Sequence, residues 1–271
     1  MTVRYGAIAS ALTSLRGASL VDDVAPTIAS IPFRTGARRG IPALADLYVP
    51  PRPEGASVVL VHGGAFLIGS RRMKPMRYLA ARLSAAGIAV CAVDYRMIFR
   101  GGRLDEAVED VRAAVTFWRA RSPEFGLAPD AISLVGLSAG GSLAMLAAAE
   151  LPPDALASLV CCFGLYELDD LRGPAALLPR LLLRTRDRKI WSARSPRHAP
   201  QPALPTLLLH GTADGLVPVD QAHRLAAHRG QLGLPTKLVV YPKAPHGFFN
   251  VPGAAADAGV AEIVAHVIPS R

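Results

Sequence analysis

Ile132-Ser133-Leu134-Val135-Gly136-Leu137-Ser138-Ala139-Gly140-Gly141 is the stretch on which the fold turns. The apolar run up to Val135 reads as a buried strand, part of an expected strand over Ala131 to Leu137. The small-residue stretch Ala139 to Glu150, stopped by Pro152-Pro153, reads as a helix. Between them, Gly-Leu-Ser-Ala-Gly places a serine on a sharp strand-to-helix turn. Such a turn holds the hydroxyl out of the fold, and small neighbours let backbone segments approach closely. Ser138 is therefore a candidate nucleophile.

On either side, short β-branched runs alternate with longer helical stretches, the pattern of a parallel sheet with crossover helices. Upstream, Val58 to Val61 and Ile88 to Val93 read as strands. Leu104 to Arg121 has apolar residues at Leu104, Val108, Val111, Val115 and Trp118, one face of a helix. Downstream, strands are expected over Ser158 to Phe163, Thr206 to His210 and Lys237 to Tyr241, and helices over Gln221 to Gln231 and Ala254 to Ile268. The fold class is α/β, a mostly parallel central sheet with helices on both faces, as one domain over residues 1–271. Two segments break the rhythm, about 1–40 and 167–202. Both are candidates for a small lid, because insertions at the C-terminal edge of a sheet shape pockets there.

With 51% hydrophobic and 19% charged residues, a chain of 271 residues has ample material for a core, which excludes disorder. The net charge of +9 comes mostly from scattered arginines without aromatic interleaving, a solvated surface and not a nucleic-acid face. Cys91, Cys161 and Cys162 lie in apolar strand runs, the adjacent pair pointing to opposite faces. Neither a disulfide framework nor a metal site is expected, and a reduced cytoplasm fits. No signal peptide is read at the amino terminus. A membrane span, which needs roughly 18 consecutive apolar residues, is not expected either.

Three further motifs follow strands. His62-Gly63-Gly64-Ala65-Phe66 is a glycine loop able to turn the N–H groups of Gly63 and Gly64 into a site, where the Ala139 N–H would join them as an oxyanion hole. His62 is expected to orient that loop. Leu207-Leu208-Leu209-His210-Gly211-Thr212-Ala213-Asp214 delivers a carboxylate just past a strand, and Tyr241-Pro242-Lys243-Ala244-Pro245-His246 does the same for an imidazole. Ser138, Asp214 and His246 thus run in the order nucleophile, acid, base. Asp220 is expected only to cap the Gln221 helix.

The set of motifs resembles the α/β-hydrolase fold, in its hormone-sensitive-lipase-like and feruloyl-esterase-like group, with kynurenine-formamidase-like hydrolases as neighbours. Asp46-Leu47-Tyr48-Val49-Pro50 and Val93-Asp94-Tyr95-Arg96 fit the group's usual strands, with Asp94 a structural carboxylate fixing a loop. Three departures blur the substrate: Ala65 where a third glycine is frequent, Leu137 where Asp is frequent, and no prolines after Arg96. The resemblance implies an esterase acting on short to medium acyl chains through an acyl-enzyme, without metal or organic cofactor. An arylformamidase or amidase and an acyl-transferring hydrolase are the alternatives. A small-molecule ester or amide is the expected partner, with a homodimer left open.

Phe66, Trp191 and Phe248 are the candidate walls of a substrate pocket. Around Trp191, Arg180, Arg184, Arg186, Arg188, Lys189, Arg194 and Arg197 have only Asp187 as a nearby acid in sequence. That cluster reads first as a solvated helix face. Its functional reading is one arginine drawing in the anionic end of a substrate.

Overall fold

The computed structural model describes residues 24–34, 42–251 and 253–268. Among them, the apolar runs become strands of one eight-stranded sheet: β1 (Ile28–Pro32), β2 (Leu44–Tyr48), β3 (Ser57–Val61), β4 (Ala89–Val93), β5 (Ile132–Leu137), β6 (Ser158–Cys162), β7 (Thr206–Gly211) and β8 (Thr236–Tyr241). Their spatial order is β1-β2-β4-β3-β5-β6-β7-β8. The pairings β1 with β2 and β2 with β4 are antiparallel, and the rest are parallel.

Strand period two sorts the core. Val59, Val61, Cys91, Leu134, Cys161 and Leu208 point into one apolar cluster, while Val58, Leu60, Val90, Val135, Cys162 and Leu207 point into the other. The first cluster is covered by α2 (Leu104–Arg121) and α3 (Ala139–Glu150), through Val108, Val111, Val115, Trp118, Leu143 and Met145. The second is covered by α1 (Lys74–Ala85) and α7 (Ala254–Val267), through Met76, Leu79, Leu83, Val260 and Ile263. Both sheet faces are thereby buried, as parallel strands require. Cys161 and Cys162 lie on opposite faces, fully buried and free.

The segment 24–34 is no lid. It supplies edge strand β1, which pairs with β2 and shifts register between Ile28 and Ile31, where Ser30 adopts φ 57°. The remainder of the first lid candidate, residues 1–23 and 35–40, lies outside the described residues. Residues 167–202 form α4 (Leu177–Leu183) and α5 (Arg188–Ala193), anchored in the core by Leu168, Leu171, Leu182 and Trp191. The Glu167 carboxylate binds them to α6 (Asp220–Gln231). It takes hydrogen bonds from Arg197 at 2.7 Å and from Arg224 at 2.8 Å. The basic cluster is also less bare than its sequence suggests, since Arg194 pairs with Asp105 and Arg197 with Glu167. Asp220 does not cap its helix: α6 begins at Asp220 itself, and Val219 holds the cap position without a side-chain bond.

Candidate active site

Ser138 joins β5 to α3 with φ 53° and ψ −117°, a sparsely populated conformation for a residue with a side chain. The turn is over-determined by its surroundings. The Ser138 N–H donates to Cys162 O at 2.8 Å, and Ser138 O accepts from Gly141 N–H at 2.9 Å. A Cβ on Gly136 would fall 2.2 Å from Gly140 O, and one on Gly140 would fall 2.4 Å from Val61 O. Only glycine lets the elbow press against its own helix and against the end of β3.

Three side chains from three strand ends meet here. Ser138 Oγ lies 2.9 Å from His246 Nε2, and His246 Nδ1 lies 2.7 Å from Asp214 Oδ2. The ionised carboxylate only accepts, so Nδ1 carries the proton and Nε2 is left to accept from the serine hydroxyl. The other oxygen, Asp214 Oδ1, takes the N–H groups of Leu216 and Val217 at 2.9 and 2.8 Å. Burial pushes the Asp214 carboxyl up. Hydrogen bonds from His210 and His246 outweigh it and hold the group well below the usual carboxylate range. The Phe163 ring meets the His246 imidazole edge-on, with centroids 5.1 Å apart, and packs in turn on Phe248 and Phe249.

The glycine loop lies directly beside the serine. A Cβ on Gly63 would stand 3.1 Å from Ser138 Cβ. Gly64, at φ 118°, accepts the N–H groups of Leu67 and Ile68 at 3.0 Å, and a Cβ there would fall 1.8 Å from Ile68 O. Ala139 opens α3, so its N–H has no intrahelical acceptor and sits next to the serine. His62 is buried and holds this loop from below. Its Nδ1 is 2.7 Å from Gly63 O and its ring stacks on Tyr95 at 4.2 Å. Burial pushes its basicity down, which favours the neutral ring.

The far end of the loop is pinned by ions. Arg71 donates its backbone N–H to Asp94 Oδ1 at 2.7 Å and its guanidinium to Asp94 Oδ2, and it lies 2.9 Å from Asp46. Asp94 fixes the loop in this way.

The three pocket candidates are all buried, with relative exposures of 1% for Phe66, 2% for Trp191 and 3% for Phe248. Phe66 and Trp191 belong to the core cluster under α2 and α3, and Phe248 to the one under α1 and α7. Trp191 is tied down by its Nε1–H to Thr185 O at 3.0 Å, with the Arg188 guanidinium over its ring. A groove of about 520 Å³ between Asp105, Arg112, Glu150 and Arg194 shares no residue with the serine site. Its charges pair with one another.

His210, Phe163 and Arg71 are the site's supports that sequence reading passes over. The first was signalled by its place four residues before Asp214 on the same strand end.

The BD-FAE family model matches residues 45–158, which include the glycine loop and the serine elbow. Esterase LipC of Mycobacterium tuberculosis is 32% identical over 77% of this chain and 56% of its own length. A probable isoprenylcysteine alpha-carbonyl methylesterase of Arabidopsis thaliana, ICMEL1, is 29% identical over 74% of this chain and 48% of its own. The chain thus spans about half the length of the curated relatives it matches. Among solved structures, esterase B from Lactobacillus rhamnosis, inhibited by a tributyrin phosphonate, superposes with a TM-score of 0.74. It is 20% identical, with 91% of this chain and 87% of that one covered.

Proposed function

We propose that the chain, which has the α/β-hydrolase fold, belongs to the hormone-sensitive-lipase-like esterase group and hydrolyses carboxylic esters of short to medium acyl chain. One observation carries the reading: the continuous hydrogen-bonded chain from Ser138 through His246 to Asp214, at 2.9 and 2.7 Å. His246 takes the hydroxyl proton as Ser138 attacks the ester carbonyl, and Asp214 holds the imidazole and stabilises its charge. The N–H groups of Gly63, Gly64 and Ala139 hold the oxyanion, each donor contributing roughly 3–4 kcal/mol to the transition state. The alcohol leaves with the proton from His246, and water then releases the acyl-enzyme. Three buried free thiols suit a reducing compartment, and we place the protein in the cytoplasm.

The experiment is a graded series of p-nitrophenyl esters beside N-formylkynurenine and an aryl amide, with Ser138→Ala as control. Highest kcat/KM on a short or medium ester, lost in Ser138→Ala, is the expected result. A peptide map placing a fluorophosphonate label on another residue sinks the assignment. Faster turnover of the formamide moves the substrate to the amidase class.

A further inference from the structure

Of the eight phenylalanines, only Phe99 is exposed, at 78%. It sits at the tip of a tight turn with φ 65°, over the buried Met97 and Ile98. Two hydrogen bonds to Met97 O close the turn, from Arg100 N–H at 2.9 Å and Gly102 N–H at 3.2 Å. A bulky ring held in water on a left-handed backbone is unfavourable on both counts.

Two other segments adjoin this turn. Ile98 N–H donates to Phe66 O at 2.8 Å, which sets the turn against the loop that begins at Gly63 beside Ser138. That loop exposes Ile68, at 47%. On the other side, the Arg103 guanidinium donates to Leu181 O in α4, the helix on which Leu177 is 53% exposed. The same segments carry Arg100, Arg180 and Arg184, all exposed. Among the described residues none of these three has an ion-pair partner, in contrast to Arg194 and Arg197.

We propose that this edge docks on an anionic lipid surface. Phe99, Ile68 and Leu177 enter the apolar layer, and Arg100, Arg180 and Arg184 meet the acidic headgroups. Apolar side chains flanked by unneutralised arginines are the two halves of interfacial binding, and each alone is weak. A free anion would answer the arginines and leave Phe99 in water. An anionic bilayer or lipid aggregate answers both. Docking in this way brings an ester held in the layer to the edge of the sheet where Ser138 stands.

The test is co-sedimentation of the full chain with vesicles of phosphatidylcholine alone and of phosphatidylcholine with phosphatidylglycerol. Binding to the anionic vesicles, weakened by salt, is expected. It should drop several-fold in Phe99→Ser and again several-fold in the double variant Arg100→Ser, Arg180→Ser. Turnover of a water-soluble p-nitrophenyl ester should stay at the wild-type level in both, so the surface and the proposed chemistry fail independently. Equal binding to neutral and anionic vesicles, or variants that bind like the parent, overturns the proposal. So does light scattering in which Phe99→Ser dissolves a dimer while no vesicle binding is seen, because the patch then serves self-association.

Discussion

The buried imidazole of His210 places Nε2 3.2 Å from Asp214 Oδ2, the same carboxylate oxygen that receives His246. The same nitrogen is 2.8 Å from Val217 O. Both neighbours only accept, so Nε2 carries the proton and is shared between the carboxylate and the strand-end loop. Asp214 is thus held from four sides, by two imidazoles and two backbone amides. Replacing His210 by Phe keeps a ring and removes the donor. Hydrogen bonds to charged groups contribute about 1.5–3 kcal/mol, so kcat should fall on the order of tenfold to a hundredfold with KM nearly unchanged. A parallel rise in KM would mark general damage instead of a loosened carboxylate.

Asp214→Asn should leave the fold intact and lower kcat by about 10⁴, because the amide favours the wrong imidazole tautomer. Steady-state rates of the two proteins decide this, and retained kcat in a His246→Ala variant points to another base.

The same carboxyl has a second, separate consequence for stability. Its folded value lies below the ordinary 3.8, so its favourable contribution is fully present above that pH and is lost as pH falls through the folded value. Acid unfolding followed by circular dichroism should therefore be steeper below pH 3.8 in the parent than in Asp214→Asn. Identical acid limbs in the two proteins contradict the linkage.

Gly64→Ala introduces a Cβ 1.8 Å from Ile68 O at φ 118°. The loop must move, and with it the amides beside Ser138. Loss of a proposed oxyanion donor should cost kcat roughly 10²–10³-fold. Labelling of Ser138 by a fluorophosphonate reports whether the proposed nucleophile itself survives.

Arg71→Met removes the guanidinium between Asp46 and Asp94. Arg72 still serves Asp46, at 2.6 Å, but Asp94 keeps only backbone and solvent. Breaking such a buried pair costs roughly 3–5 kcal/mol. Thermal unfolding should show it as a clear drop in Tm, and an unchanged Tm means that the pair is idle.

The strands and the three meeting side chains are legible in the sequence because each rests on a local signal. An apolar run of strand length ends in a glycine-marked turn at Ser138, at Asp214 and at His246. Chain order then does what distance could not. Edge strand β1 was not legible: a five-residue edge strand with a bulge at Ser30 buries too little to show an alternation. Helix α1 likewise went unread. It starts without a side-chain cap, although Met76, Leu79, Ala80 and Leu83 keep a helical apolar spacing. The partners of Arg194 and Arg197 are distant in the chain, so sequence neighbours could only make the cluster look bare. Phe66 and Phe248 lie in or beside motifs and Trp191 lies in the basic segment, placements that say nothing about which way a ring points.

Ser138, Asp214 and His246 follow β5, β7 and β8, and the glycine loop follows β3. No fragment shorter than this span holds all four pieces, and β6 must be seated between β5 and β7 for the first three to meet. The proposed turnover would therefore gauge the whole sheet's cooperativity. In urea or on heating, ester cleavage should vanish along the same curve as the far-ultraviolet signal.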